Sequence, residues 1–132
     1  MHRSLLPLLF CALVVALPAN AAQPAPYPSK PIRIVIPFPP GNTIDVMSRL
    51  IAPKLTERLG QTVIVDNRVG ANGQIGMEFG ARAAPDGYTL TAGQGGSMVV
   101  MPHTYKKLSY DPLRDYTLIT VSTTNFLGMV VH

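Results

Sequence analysis

Short runs rich in β-branched and apolar residues recur along this chain: Ile32–Ile36, Thr62–Asp66, Tyr88–Ala92 and Thr117–Val121. Each has the length and composition of a buried strand. Between the first two, Met47, Leu50, Ile51, Leu55 and Leu59 fall at helical spacing. Arg49, Lys54, Glu57 and Arg58 take other faces of that helix. A second helix is expected near Gln74–Ala84. Strands alternating with single helices form βαβ units, which build a parallel sheet by right-handed crossovers. The expected fold class is therefore α/β. Ligands of such sheets bind beyond the carboxyl ends of the strands. The loops at 37–45, 66–73 and 93–97 all follow strands, so they are expected to gather along one edge.

Punctuation along the chain refines this order. Residues 22–31 carry several prolines and read as an extended leader. Gly60 is the expected stop of the first helix. Pro53 lies inside that helix and is expected to kink it or break one turn. Pro85-Asp86-Gly87 signals a turn. Met98–Met101 suits a short helix, "LSYDPLRD" an irregular surface segment, and Met129–His132 the start of a fifth strand.

The first residues follow another logic. A basic start at Met1–Ser4 precedes an apolar run from Leu5 to Leu17, and Ala19 and Ala21 stand in A-x-A spacing. That order marks residues 1–21 as a secretory signal peptide. The competing reading, a membrane anchor, needs about 20 apolar residues to span the hydrocarbon. Phe10 before Cys11 argues against lipidation. Removing this segment takes the single cysteine and leaves ten Lys and Arg against seven acids, a net charge of +3. No thiol chemistry is then expected. The basic residues are scattered, so nucleic acid is not expected as a partner.

The loops carry what chemistry there is. A helix N-terminus offers unpaired N–H groups and a positive dipole end. Asn42 or Thr43 suits the cap of the first helix. The neighbouring amides, with Gly41 allowing close backbone approach, suit a carboxylate or phosphate. An ordinary capped helix with Asp45 in its first turn fits the same residues. Gly70-x-x-Gly73-x-x-Gly76 departs from the dinucleotide fingerprint: Asn72 replaces the middle glycine, and the loop follows the second strand. It reads as a turn serving packing or a small anion. Gly93-Gln94-Gly95-Gly96-Ser97 fits an anion-holding nest or a plain loop. Ser97 lacks the G-x-S-x-G context, and His103 has no carboxylate at a convincing spacing. No pair of His or acids stands at metal-ligand spacing. No enzyme activity, metal or cofactor is expected, and Met47, Met77 and Met98 read as core filler.

Tyr27–Gly76, "AAPDGYTL" and "YKKLSYDPLRDY" together resemble the Bug family, the solute receptors of tripartite tricarboxylate transporters. The likeness runs from about Tyr27 to the last residue. It implies a type II periplasmic binding fold: two α/β lobes with a small carboxylate between them, delivered to membrane permease subunits. The implied domains are a first lobe over 32–121 and the start of a crossover over 122–132. The implied ligand-binding residues are Phe38, Pro40, Gly41, Asn42, Thr43 and Asp45 in the first loop. Asn67, Gly70, Ala71 and Gly73 supply the second, and Gly93, Gln94, Gly95, Gly96 and Ser97 the third. The family's P-F-P-P-G-G-G-T-D appears here with Gly41-Asn42-Thr43-Ile44-Asp45, so one glycine pair is lost. Family members are more than twice as long, which implies an incomplete fold without the second lobe and the C-terminal return segments. Weak or no binding by the isolated chain is the matching expectation. A non-functional remnant and a nucleotide-binding α/β enzyme domain are the alternatives.

Overall fold

The computed structural model describes residues 26–124. The signal segment, the start of the leader and the Met129–His132 strand lie outside them. Strand β1 (Ile32–Ile36) leads through helix α1 (Thr43–Leu59) to β2 (Val63–Asn67). Helix α2 (Gln74–Ala81) leads on to β3 (Thr89–Thr91). The sheet order is β2-β1-β3, and both pairings are parallel. Register runs Ile32 opposite Val63 to Ile36 opposite Asn67, and Arg33 opposite Thr89 to Val35 opposite Thr91.

Alternation of side chains across a strand divides the core in two. Ile32, Ile34 and Ile36 pack with Ala52 of α1 and Val63, and Ile44, Leu55, Val65 and Leu90 close around them. Val35 faces the other side, as does its partner Thr91. A Cβ on Gly80 would meet the Thr91 hydroxyl at 2.0 Å, so α2 lies on this second face. Met77 of α2 is fully buried there. Asp66 shares that face. Its burial opposes ionisation, but Arg68 and Arg33 overcome this and hold its carboxyl below the usual range.

Four details differ from expectation. Helix α1 runs unbroken through Pro53. The proline removes one helical N–H, and the carbonyl it frees, on Arg49, is on an exposed residue that water can serve. Helix α2 stops at Ala81, short of Ala84. Thr117–Val121 forms no strand: Leu118, Ile119 and Val121 are 77%, 76% and 82% exposed. β-branched residues suit a strand, but a strand exists only with a ladder partner, and neither sheet edge reaches this segment. "LSYDPLRD" is irregular yet not all surface. Tyr110 and Pro112 are buried, and the Tyr110 hydroxyl donates to the Ser97 carbonyl at 2.7 Å. Burial pushes the neighbouring Tyr116 hydroxyl up to about 12, so it stays protonated and donates to the Met77 carbonyl.

The leader also follows the chain's own contacts. Tyr27 donates to the Gly87 carbonyl at 2.8 Å, and Tyr88 accepts from the Ser29 amide at 2.8 Å. Lys30 pairs with Asp86 and lies 4.3 Å from the Tyr88 ring centre. These contacts pin the leader to the turn before β3, at the end of the sheet opposite the three loops.

Gly76 is where α2 comes closest to the rest of the fold. A Cβ there would stand 2.7 Å from both the Arg68 carbonyl oxygen and the Pro37 Cα, and backbone cannot step aside. Gly95 has open space around it and a right-handed backbone. Gly76→Ala should therefore destabilise the chain by about 1–3 kcal/mol, while Gly95→Ala should change it by less than about 0.5 kcal/mol. Urea unfolding midpoints check this; equal midpoints for the two variants would count against the packing described.

Candidate functional site

Because β1, β2 and β3 are parallel, the loops after them leave the sheet at one end. The first loop, 37–42, is stiffened by three prolines. It turns at Gly41, whose φ of 88° is a left-handed value that an L side chain rarely adopts. Asn42 is the N-cap of α1: its side-chain oxygen accepts from the Asp45 amide at 2.9 Å, and its carbonyl from the Val46 amide. The Asn42 amide group also donates to the Pro39 carbonyl at 2.9 Å. Among the described residues, the amides of Thr43 and Ile44 find no protein acceptor. Thr43 is exposed beside them.

Asp45 is 2% exposed and does not reach out to solvent. Its carboxylate accepts from the Gly41 amide at 2.9 Å, from the Asn67 side chain at 2.9 Å, and from Arg49 Nε at 3.1 Å. Asn67 closes the knot. It donates to the Phe38 carbonyl at 3.1 Å and accepts from Arg49 Nη2 at 2.8 Å. The first loop, helix α1 and the end of β2 are thereby tied together. The hydrogen bonds from Arg49, Gly41 and Asn67 hold the Asp45 carboxyl down at about 2.

The second loop has an unusual backbone. Gly70, Ala71, Asn72 and Gly73 have successive φ values of 132°, 46°, 55° and 92°. Two of these are non-glycine residues in the left-handed region, a strain that persists only where the surroundings enforce it. The enforcement is visible at Gly73, where an added Cβ would stand 3.0 Å from the Phe38 ring. Ala71 and Asn72 stay exposed at the tip.

The third loop enters from the Ala92 amide, which donates to the Val35 carbonyl at 2.9 Å. It ends in a π-helical turn, Gly96–Val100, that continues into helix α3, Met101–Thr104. Single π-helical turns are frequent at functional sites. Gln94, Gly95 and Gly96 are exposed. Ser97 is 1% exposed, and its hydroxyl both donates to the Gln94 carbonyl at 3.0 Å and accepts from the Gln94 amide at 3.3 Å.

The expected residues thus sort by what their groups can still do. Pro40, Gly41, Thr43, Ala71, Gly93, Gln94, Gly95 and Gly96 are open at the tips. Phe38, Gly70 and Gly73 shape the joint between the first two loops. Asn42, Asp45, Asn67 and Ser97 spend their side-chain hydrogen bonds within the protein. Sequence reasoning missed Arg49, although its place four residues after Asp45 is the spacing of a helical ion pair. It also missed Tyr110, for which no local signal exists. Among the described residues, no cluster of three or more His, Cys, Asp or Glu could hold a metal ion, and no helix is long and apolar enough to cross a membrane.

The sequence pattern of the tripartite tricarboxylate transporter family receptor matches residues 47–132. The chain belongs to this family. A UPF0065 protein of Bordetella bronchiseptica is 44% identical over 108 residues, covering 82% of this chain and 32% of its own length. Among solved structures, the periplasmic binding protein BugD superposes with a TM-score of 0.63 at 38% identity, covering 67% of this chain and 29% of that one. MatC of Rhodopseudomonas palustris, solved with bound malate, gives a TM-score of 0.64 at 35% identity, covering 67% and 30%. The chain thus spans about a third of the length of the Bordetella relative. The likeness confirms the parallel α/β lobe of a periplasmic binding protein.

The Asp45 knot sets a pH dependence. Its folded value lies below the ordinary carboxylate value of 3.8, so it contributes stability that is present above the unfolded value. That contribution falls away as the pH drops from about 4 through about 2. Asp45→Asn should remove this component, so the stability difference between wild type and variant should shrink across that window. Chemical denaturation at stepped pH measures it, and a constant difference would contradict the knot.

Proposed function

We propose that this chain is the first lobe of a periplasmic receptor that holds a small carboxylate at its loop tips. The receptor hands that ligand to the permease subunits of a tripartite tricarboxylate-type transporter. Residues 1–21 act as the export signal in this reading. One observation carries it: the unpaired Thr43 and Ile44 amides at the start of α1 stand at the same end of the sheet as the exposed Gly95 and Gly96. Helix N-termini and open backbone amides favour a bound anion. Thr43 and Gln94 add a hydroxyl and a carboxamide, groups that orient a carboxylate without adding charge. The family membership and the malate held by MatC support the choice of a carboxylate over other anions.

The remaining residues have defined places in the proposal. Pro40 and Gly41 form the rigid wall of the first loop, and Ala71 with Gly70 and Gly73 the wall of the second. Phe38 supplies the apolar floor between them. Gly93 lets the Met98 side chain close in behind the third loop, since a Cβ there would stand 2.8 Å from Met98 Cγ.

Affinity should be low, because the tip residues are exposed and a ligand there keeps much of its hydration. Deep pockets that bind tightly bury most of a ligand's surface. Titrating the chain with malate and following amide resonances should shift Thr43, Ile44, Gly95 and Gly96 together, with half-saturation weaker than micromolar. Shifts confined to other surfaces, or no shift at all, would overturn the carboxylate reading. Micromolar affinity by calorimetry would overturn the low-affinity argument.

A further inference from the structure

A buried carbonyl needs a donor, and the Ser97 carbonyl does not obtain one from its own helix in the usual way. In an α-helical register its donor would be the Met101 amide, but that amide is directed at the Gly96 carbonyl, five residues back. In the π-helical register that the turn adopts, the donor would be residue 102, which is a proline without an N–H. Ser97 is 1% exposed, so water does not serve it. The donor it has is the Tyr110 hydroxyl, at 2.7 Å. We propose that Tyr110 is a positioning residue for the third loop: its hydroxyl stands in for the backbone donor that Pro102 lacks, and so selects the π-helical register on which Gly95 and Gly96 are presented. The register lock stands on these contacts alone; its consequence for a ligand rests on the carboxylate reading above.

The donor is itself held in place. Tyr110 is 4% exposed, and its hydroxyl lies 4.0 Å from the Met101 sulfur. Burial pushes that hydroxyl above the usual tyrosine value, so at neutral pH it keeps the proton it donates. The Tyr110 ring packs edge-on to Tyr116, with centres 6.3 Å apart, and Tyr116 is tied to the Met77 carbonyl of α2. Between the two tyrosines the turn is closed by Asp111 and Asp115. The Asp111 amide donates to the Asp115 carboxylate at 2.8 Å, and the Asp115 amide to the Asp111 carbonyl at 2.9 Å. Residues 110–116 thus brace the π-helical turn against α2, apart from the sheet ladders.

The alternative register is one hydrogen bond away. Without a hydroxyl at 110, the Ser97 carbonyl gains a donor by drawing the Met101 amide from Gly96 to itself, which converts the π turn into an α turn. A π turn holds one residue more than an α turn. Closing it winds the residues before it by about 100° around the axis, the angle of one α-helical residue. Gly95 and Gly96 stand at that point. They are exposed, and a Cβ on either would meet nothing within 4 Å, so no neighbour resists the turning. Their amides would leave the direction they now face.

Hydrogen-bond couplings measured by NMR on the full chain test the lock without any ligand. Wild type should couple the Met101 amide to the Gly96 carbonyl. In Tyr110→Phe the coupling should move to the Ser97 carbonyl, with the Gly95 and Gly96 resonances displaced. A coupling that stays on Gly96 in the variant would overturn the lock. Urea unfolding of wild type, Tyr110→Phe, Pro102→Ala and the double variant tests the role given to Pro102. Losing the hydroxyl should raise the unfolded-to-folded ratio about tenfold where residue 102 has no N–H, and less than about threefold where alanine supplies one. Equal losses in both backgrounds, the result of a hydroxyl that only fills space, would overturn the substitution of one donor for the other. Should Tyr110→Phe not fold, the double variant should fold, and its failure would also overturn it. Malate titration reads the consequence: half-saturation of the Gly95 and Gly96 shifts should weaken by roughly threefold or more in Tyr110→Phe. Equal half-saturation would overturn the positioning role. If malate moves no loop amide in wild type, the carboxylate reading fails by itself, and the couplings still decide the register.

Discussion

Strand β1 is hydrogen-bonded on both sides by strands running in its own direction, and the rest of the molecule hangs from that fact. Parallel pairing with β2 and β3 brings three carboxyl ends to one edge of the sheet. The ladders do not stop at the strands. The Ile36 carbonyl takes the Arg68 amide and the Val35 carbonyl takes the Ala92 amide, each just past the end of its neighbour. Both flanking loops therefore start from fixed points beside the first. A parallel sheet must be covered on both faces. Helix α1 covers the isoleucine face of β1, and α2 covers the face of Val35 and Thr91.

On that frame, the site is assembled by polar groups that face inward. Asp45, Asn67 and Ser97 are the polar side chains that a first reading aims at a ligand, and all three are committed to the protein's own backbone. This division has a physical logic. A loop that must meet a ligand with backbone amides cannot use those amides to hold its own shape, so buried side chains hold it instead. Preorganisation of this kind lowers the entropy lost when a ligand binds. Tyr110 makes the same contribution from farther away, by donating to the Ser97 carbonyl from a segment outside the βαβ units.

What the sequence disclosed followed from local rules. The β-branched runs marked β1, β2 and β3 to within two residues. Gly60 marked the end of α1, and the choice between Asn42 and Thr43 marked its start to within one residue, because an N-cap acceptor and a left-handed stop are chemical requirements of helix ends. The single-edge placement of the loops followed from the parallel topology. What it concealed depended on partners distant in sequence. Thr117–Val121 has the composition of a strand, yet pairing is a property of two segments and this one finds no partner here. Pro53 breaks helices by a local rule, but one lost hydrogen bond at an exposed turn is outweighed by the packing of Ala52 and Leu55. Asp45 reads as a ligand contact until its burial and the 22-residue reach to Asn67 are seen.

The central claim is that open backbone amides from separate loops converge on one anion site. Bromide is a small anion that seeks such amides, and its anomalous scattering locates it without assumptions about the ligand. Crystals of the chain briefly soaked in sodium bromide should show an anomalous peak within hydrogen-bonding reach of the Thr43 and Ile44 amides, facing Gly95 and Gly96. Bromide found only beside surface lysines and arginines, with the loop tips bare, would contradict the account.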